Sequence, residues 1–353
     1  MKKEKTLIGM SGGVDSSVAA YLMLQNGFDC VGATMALCSG LPGVPDQDAK
    51  DARAVAQRLQ IPFVELDEVH SFRSCVVDAF VRDYECGLTP NPCIECNQHL
   101  KFRAMLDHAL EMGCDSITTG HYAIIRKDEE SGRYLLFKAA DSQKDQSYFL
   151  AGLTQEQLSR AHFPLGEFTK EQIRRIAQEQ GFINAQRKDS QDICFIPDGD
   201  YVRFLKEYTR KNYPQGDFLD LAGNRVGKHN GAVAYTIGQR KGLGIALGEP
   251  VYVCHKDMNT NCVTVGPNSA LFRDTLIADN WNWIPFPRLA APIKVQAKIR
   301  YRHIPQEATV YPLENGQCKV VFTDSQRAIT PGQAVVLYQG DQVLGSGRIT
   351  QVL

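Results

Sequence analysis

A short apolar run, Thr6-Leu7-Ile8-Gly9-Met10, stops at Ser11-Gly12-Gly13-Val14-Asp15-Ser16-Ser17 and gives way to a segment of helical character, Ser17 to Leu24. A buried strand that turns through two glycines into a helix opens a crossover unit, and such units build parallel sheets covered on both faces. The alternation continues. Residues 30–36, 62–66 and 116–119 read as strands. Residues 46–59 place Ala49, Ala52, Val55, Ala56 and Leu59 at helical spacing, and residues 71–84 and 100–112 also read as helices. We therefore expect an α/β catalytic domain over residues 1–200, with ligands bound beyond the carboxyl ends of its strands. From residue 215 glycines crowd in (Gly223, Gly227, Gly231, Gly238, Gly242, Gly244, Gly248) and helical periodicity fades, so residues 201–270 read as a small central domain. Residues 293–299, 308–311, 319–322 and 334–338 are short runs, several of them alternating, so residues 271–353 read as an antiparallel barrel or sandwich.

The chain's 353 residues are 43% hydrophobic and 22% charged, which excludes wholesale disorder, and a net charge of −1 excludes a histone-like polycation. The charge is unevenly placed. Residues 1–200 carry 21 Lys and Arg against 29 Asp and Glu; residues 201–353 carry 18 against 11. A basic half joined to an acidic half points to a polyanionic partner for part of the chain. No apolar run approaches the ~18 residues needed to span a bilayer. The stretch after the N-terminal lysines is shorter than a signal peptide's apolar region, so a cytoplasmic location and no membrane partner are expected. In a reducing compartment the eleven cysteines are thiols, ligands or catalysts rather than staples. Cys30, Cys254, Cys262 and Cys318 lie in apolar or strand-like runs and read as buried.

The glycine loop has a chemistry of its own. Glycines let the backbone approach a ligand closely, and successive N–H groups at a helix N-terminus face an anion. No Gly-Lys-Ser/Thr follows, so this is not a Walker loop. A loop lacking that lysine suits pyrophosphate rather than γ-phosphate transfer. The string Ser11 to Ser17 resembles the PP-loop of ATP pyrophosphatases, which split ATP into AMP and pyrophosphate while adenylating a carbonyl or carboxyl oxygen. Asp15 is a candidate to help hold the accompanying Mg2+, and Asp15 and Ser16 are expected on an exposed turn.

Thr89-Pro90-Asn91-Pro92-Cys93-Ile94-Glu95-Cys96-Asn97 reads as a rigid, non-helical loop. Asp189-Ser190-Gln191-Asp192-Ile193-Cys194-Phe195-Ile196 presents another cysteine among polar groups. A Cys-x-x-Cys pair also suggests zinc, but two further ligands are needed and no second close pair exists. Taken with Thr119-Gly120-His121-Tyr122, Lys144-Asp145-Gln146-Ser147-Tyr148, Tyr235-Thr236-Ile237-Gly238-Gln239-Arg240 and Gln326-Arg327-Ala328-Ile329-Thr330-Pro331-Gly332-Gln333, these motifs occur in an order that resembles the bacterial tRNA-specific 2-thiouridylases over nearly the full length. The resemblance implies ATP-dependent 2-thiolation of the wobble uridine of tRNA. ATP adenylates the C2 oxygen, so that AMP rather than oxide leaves.

The resemblance assigns Cys194 the incoming sulfur as a persulfide, and Cys96 the nucleophile that resolves it through a transient disulfide. It implies ATP contacts at Gly9, Met10, Ser11, Gly12, Gly13, Val14, Asp15, Ser16, Met35 and Gly120. It implies tRNA contacts at Asn91, Pro92, Cys93, His121, Lys144, Asp145, Gln146, Arg300, Tyr301 and Gln333, and a persulfide-donating cysteine desulfurase or sulfur relay protein as partner. Many members carry Asp where this chain has Cys93. Cys93, Cys96 and Cys194 could therefore hold an iron–sulfur cluster with one open iron, the alternative to the preferred persulfide. Two rival functions stay open: a PP-loop enzyme adenylating a small carbonyl or carboxylate, which would need neither Cys96 nor Cys194, and a non-catalytic nucleotide- and RNA-binding module.

Overall fold

The computed structural model describes residues 3–44, 49–187 and 193–353. Strands β1 (Lys5–Gly9), β2 (Asp29–Ala36), β3 (Phe63–Asp67) and β4 (Ser116–Thr118) are followed by a hairpin, β5 (Ile124–Lys127) and β6 (Tyr134–Phe137), and by β7 (Ala161–His162). The first four and β7 form a parallel sheet in the order β3-β2-β1-β4-β7. Successive side chains of a strand point to opposite faces. Accordingly Leu7 of β1 joins a core with Phe102, Met105 and Leu106, while Ile8 joins one with Val18, Ala19, Ala52 and Val55. Both faces of the sheet are thus covered, as the run of apolar residues in β1 requires. The expected helix over 46–59 is present as Lys50–Arg58 with Ala52, Val55 and Ala56 buried; positions 46–48 lie outside the described residues.

One expectation fails here. Residues 92–97 are not a loop: the chain is helical continuously over 92–111. Asn91 caps this helix, its Oδ1 accepting from the Cys93 N–H at 3.2 Å, and Pro92 occupies the first turn, where its missing N–H costs nothing. The β5–β6 hairpin was not expected, and it does not stay with the parallel sheet. β6 pairs with the last strand of the chain, Gln342 opposite Phe137 and Val343 opposite Leu136.

The central segment adds β8 (Gly216–Leu219), β9 (Arg225–His229), β10 (Tyr252–Asp257) and β11 (Cys262–Gly266), a four-stranded sheet around Phe218, Tyr235, Val253 and Val263. Cys30 and Cys318 are buried as expected, but Cys254 and Cys262 are only half-buried. Their neighbours Val253 and Val263 take the inward positions of the alternation, and each thiol donates to the carbonyl two residues before it.

Strands β12 (Phe272–Trp283), β13 (Ile293–Lys298), β14 (Gln306–Pro312), β15 (Cys318–Arg327), β16 (Ala334–Gln339) and β17 (Gln342–Val352) form an antiparallel sheet that closes through β12 and β17 into a six-stranded barrel. Closure leaves no free edge among these strands except where β6 adds. Leu276, Val295, Val310, Val320 and Leu337 fill the interior. The barrel is docked firmly on the catalytic part. Ile284, Val336, Tyr338 and Val343 share a core with Leu136, Tyr148 and Leu150. Asn282 Nδ2 donates to the Ala151 and Leu153 carbonyls, and Arg348 pairs with Asp83 at 2.7 Å.

Candidate active site

The strand order of the parallel sheet reverses between β1 and β4, and three segments gather at the carboxyl edge there. The glycine loop follows β1, Leu37-Cys38 follows β2 and Gly120-His121 follows β4. Crevices at such switch points bind ligands in open α/β sheets.

The loop is held by its own hydroxyls and by a strut from far along the chain. Gly12 has φ +72°, where a side chain is strained. Ser16 Oγ and Ser17 Oγ donate to the Gly13 carbonyl at 3.1 and 3.0 Å, and the Ser11 N–H donates to Ser16 Oγ. Asn184 Nδ2 donates to the Gly12 carbonyl at 2.8 Å and to Ser17 Oγ; Arg187 reaches the same carbonyl and pairs with Asp51. Apart from the Ser11 N–H bond, these contacts occupy loop carbonyls, which leaves the N–H groups at the helix start to an anion. Val14 opens the helix Val14–Gln25, so its dipole adds to that pull. Gly120 backs directly on this turn: a Cβ there would lie 2.7 Å from the Ser16 nitrogen. Gly9 ends β1 and Met10 follows it, and Met35 sits half-buried near the end of β2.

Asp15 is not on a free turn. It lies in the first turn of the helix, and its carboxylate accepts from Lys170 Nζ at 2.7 and 2.8 Å and from the Tyr122 hydroxyl at 2.7 Å. Tyr122 is in turn held by Gln146, whose side-chain oxygen accepts from the Tyr122 N–H. Ser16 is buried. The expectation that both residues lie exposed is therefore overturned: the small loop packs under helix Lys170–Glu179. A carboxylate already engaged by a lysine and a phenol is a poor magnesium ligand.

The cysteines gather around the segment after β2, on the same sheet edge as this loop. Cys93 is exposed on the first turn of the helix that Asn91 caps, and Cys96, one turn on, is 7% exposed. Cys194 is exposed; residues 188–192 of its motif lie outside the described residues. Cys96 packs with Leu37, Cys38, Leu100, Phe195 and Ile196 in one cluster. The Sγ atoms of Cys38 and Cys194 are 4.0 Å apart. Burial pushes the Cys96 thiol up to about 11, against the pull of the Lys101 ammonium. The hydrogen bond with Cys38 raises Cys194 and lowers Cys38. Lys101 opposes the rise at Cys93, Cys96 and Cys194, and burial with Lys101 nearby keeps His121 neutral. All eleven cysteines are free thiols. Among the described residues no three His, Cys, Asp or Glu side chains converge as metal ligands.

The expected tRNA contacts divide in two. Arg300 and Tyr301 are half-exposed beside the site, with the Tyr301 ring 4.4 Å from that of Phe149 and the Lys298 ammonium above it. Lys144 is half-buried near them. Asp145, Gln146 and Gln333 also make hydrogen bonds within the chain. The Asp145 carboxylate is buried and accepts from the Ala139 and Ser147 N–H groups and the Ser147 hydroxyl. Gln333 Nε2 donates to the Thr89 and Pro90 carbonyls at 2.8 and 3.3 Å, and the Thr89 N–H donates to Pro331. The barrel thereby fixes the segment that leads into Asn91. His121 Nδ1 is 2.8 Å from Thr119 Oγ1.

Sequence reasoning missed Cys38, Lys101, Asn184, Lys170 and Asn97. Asn97 is buried, donates to the Phe149 carbonyl, and keeps an amide oxygen with no partner among the described residues. Only Asn97 carried a signal, its place beside Cys96; the others converge through tertiary contacts.

Comparison with known proteins agrees with this arrangement. Family models described as the tRNA methyl transferase HUP domain, the tRNA methyl transferase PRC-barrel domain and the aminomethyltransferase beta-barrel domain match residues 4–198, 202–267 and 273–349. The tRNA-specific 2-thiouridylase MnmA of Treponema denticola is 48% identical over 99% of this chain and 98% of its own. That of Acetivibrio thermocellus is 47% identical over 99% and 100%, and that of Clostridium perfringens 48% over the whole of both. Identity of that order along the entire length, on a chain that sets a phosphate loop beside a group of thiols, admits one conclusion: the chain belongs to the tRNA-specific 2-thiouridylase family.

Proposed function

We propose that this chain replaces the C2 oxygen of the wobble uridine of tRNA by sulfur at the expense of ATP. ATP lies with its phosphates against the loop N–H groups at the start of helix Val14–Gln25. The C2 oxygen attacks the α-phosphorus and pyrophosphate leaves. Sulfur then adds at C2 and AMP departs, which turns a poor leaving group into a good one. Magnesium enters on the ATP phosphates rather than on Asp15, whose carboxylate is engaged by Lys170 and Tyr122.

Cys194, exposed at the rim, receives sulfur from a persulfide-donating desulfurase or relay protein; a second thiol discharges it, a role the resemblance gives to Cys96. Asn91, Pro92 and Cys93 face the base. The base must leave its stack to reach C2 chemistry in this crevice. Arg300 meets phosphate, Lys144 adds positive charge, and Tyr301 offers a ring for stacking.

One observation carries the reading: the anion-binding loop and the thiols share one edge of one sheet. An enzyme adenylating a small carboxylate would need only the loop. The test is an incubation of the full chain with ATP, unmodified tRNA and inorganic polysulfide as sulfur source. One 2-thiouridine per AMP and per pyrophosphate is expected. Pyrophosphate release that requires an added small carbonyl or carboxylate compound and not tRNA would favour the small-substrate enzyme.

A further inference from the structure

The phosphate loop carries no lysine of its own, and two cations packed around it are already engaged. Lys170 holds the Asp15 carboxylate, and Arg187 holds Asp51 and the Gly12 carbonyl. Adenylation nevertheless builds negative charge on the α-phosphoryl oxygens, where a fixed cation lowers the barrier more than it strengthens ATP binding. Lys101 is placed to supply that cation. It lies on the continuous helix over 92–111, between Leu100 of the thiol cluster and Phe102, whose ring is 5.6 Å from that of His121. His121 follows Gly120, and Gly120 backs on the Ser16 nitrogen of the loop. Through space the Lys101 ammonium acts on Cys93, Cys96 and Cys194, and also on His121, so it stands between the thiols and the loop edge. It is half-buried, yet it makes no hydrogen bond or ion pair to any of the described residues. A partly desolvated ammonium without a counter-charge is costly, and an anionic ligand offsets that cost.

We infer that Lys101 binds the α-phosphoryl oxygens of ATP and stabilises the charge that develops there as the uridine is adenylated, an assignment that rests on the function proposed above. The C2 oxygen attacks the α-phosphorus, the bond to the bridging oxygen breaks, and pyrophosphate leaves with the bonding pair. The uridine N3 proton passes to solvent. Lys101 keeps its own proton throughout and stays on the α-phosphate. When sulfur adds at C2 and the C2–O bond breaks, AMP takes that bonding pair, and the same ammonium stabilises it as it leaves.

The experiment uses the full chain with its thiols reduced and no sulfur source, so that adenylation runs alone. Pyrophosphate formed from ATP labelled in its γ-phosphate is followed by rapid quench, with and without unmodified tRNA, and rates are taken per folded molecule from a thermal melt. Lys101→Met should lower the tRNA-dependent rate about a hundredfold at every pH from about 7 to 9, as loss of one donor to a developing oxyanion does. The Kd for ATP should change far less. Lys101→Arg, which keeps the charge, should be faster than Lys101→Met; equal rates would make the loss one of packing and overturn the assignment. Pyrophosphate formation by Lys101→Met at the parent rate, with the defect confined to 2-thiouridine formation and cured at higher pH, would show that Lys101 serves only the thiols and would also overturn it. A parent chain that forms no pyrophosphate in response to tRNA overturns the proposed function itself, and this role for Lys101 with it.

Discussion

Asp15 offers the sharpest perturbation of the ATP loop. Its side chain is 30% exposed and that of Lys170 11%, with the Lys170 ammonium 2.7 and 2.8 Å from its two oxygens. Removing one partner of a buried ion pair costs about 3–5 kcal/mol, because a charge is left without compensation. The partial exposure of Asp15 lowers this, so Asp15→Asn should cost about 2–3 kcal/mol. For a unit the size of the catalytic part that is a drop of roughly 5–10 °C in Tm. Lys170→Met should destabilise similarly. The double variant removes both charges and should be more stable than the sum of the singles predicts, by about 2 kcal/mol. Thermal melts of the four proteins, with and without ATP, read the cycle. If Asp15→Asn abolishes turnover while melting with the parent, and the cycle is additive, then Asp15 serves the metal and the packing argument is wrong.

Four further outcomes are expected. Gly120→Ala pushes a Cβ to 2.7 Å from the Ser16 nitrogen, a backbone atom that cannot yield without moving the loop, so ATP affinity by calorimetry should fall at least about tenfold. Gln333→Ala loses two neutral hydrogen bonds at about 1 kcal/mol each to the segment before Asn91, so kcat should fall roughly tenfold with tRNA Kd nearly unchanged; a change in Kd alone would make Gln333 a tRNA contact instead. Lys101→Met removes the cation that opposes the rise at Cys93, Cys96 and Cys194; their pKa values should climb, iodoacetamide labelling at pH 8 should slow by roughly threefold to tenfold, and the activity profile should move to higher pH. Arg300→Ala should reduce the slope of log K for tRNA against log salt by about 1, as loss of one phosphate contact requires. Removing residues 271–353 would be a poor version of that last test, since Leu136 and Tyr148 share their core with Tyr338 and Val343.

The sequence made the parallel sheet legible because its strands are short apolar runs and the intervening helices keep a 3.6-residue period; Ala52, Val55 and Ala56 are buried as the spacing predicts. The barrel's alternating strands were legible for the same reason, as in Cys318, Val320 and Phe322 of β15, all inward. The hairpin β5–β6 was not, because its place is set by pairing with β17 some two hundred residues away. The helix at Pro92 was misread by giving prolines and asparagines their loop meaning. Asn before Pro is equally a cap and first-turn pair, and here the cap hydrogen bond settles it. Of the thiols, Cys96 and Cys194 stood out through resemblance. Cys38 did not, since a cysteine after a strand in an apolar run reads as a small hydrophobe until Cys194 is seen 4.0 Å away. Asp145, Gln146 and Gln333 show the converse limit: a polar residue in a functional motif can spend its hydrogen bonds on positioning the site.

The central claim is that ATP activates the C2 oxygen itself. Unmodified tRNA carrying 18O at C2 of the target uridine, converted to 2-thiouridine by this chain, should deliver the label to the phosphate of AMP, one atom per sulfur incorporated, with unlabelled pyrophosphate. Label appearing in water, or ATP converted to ADP and phosphate, would contradict the account.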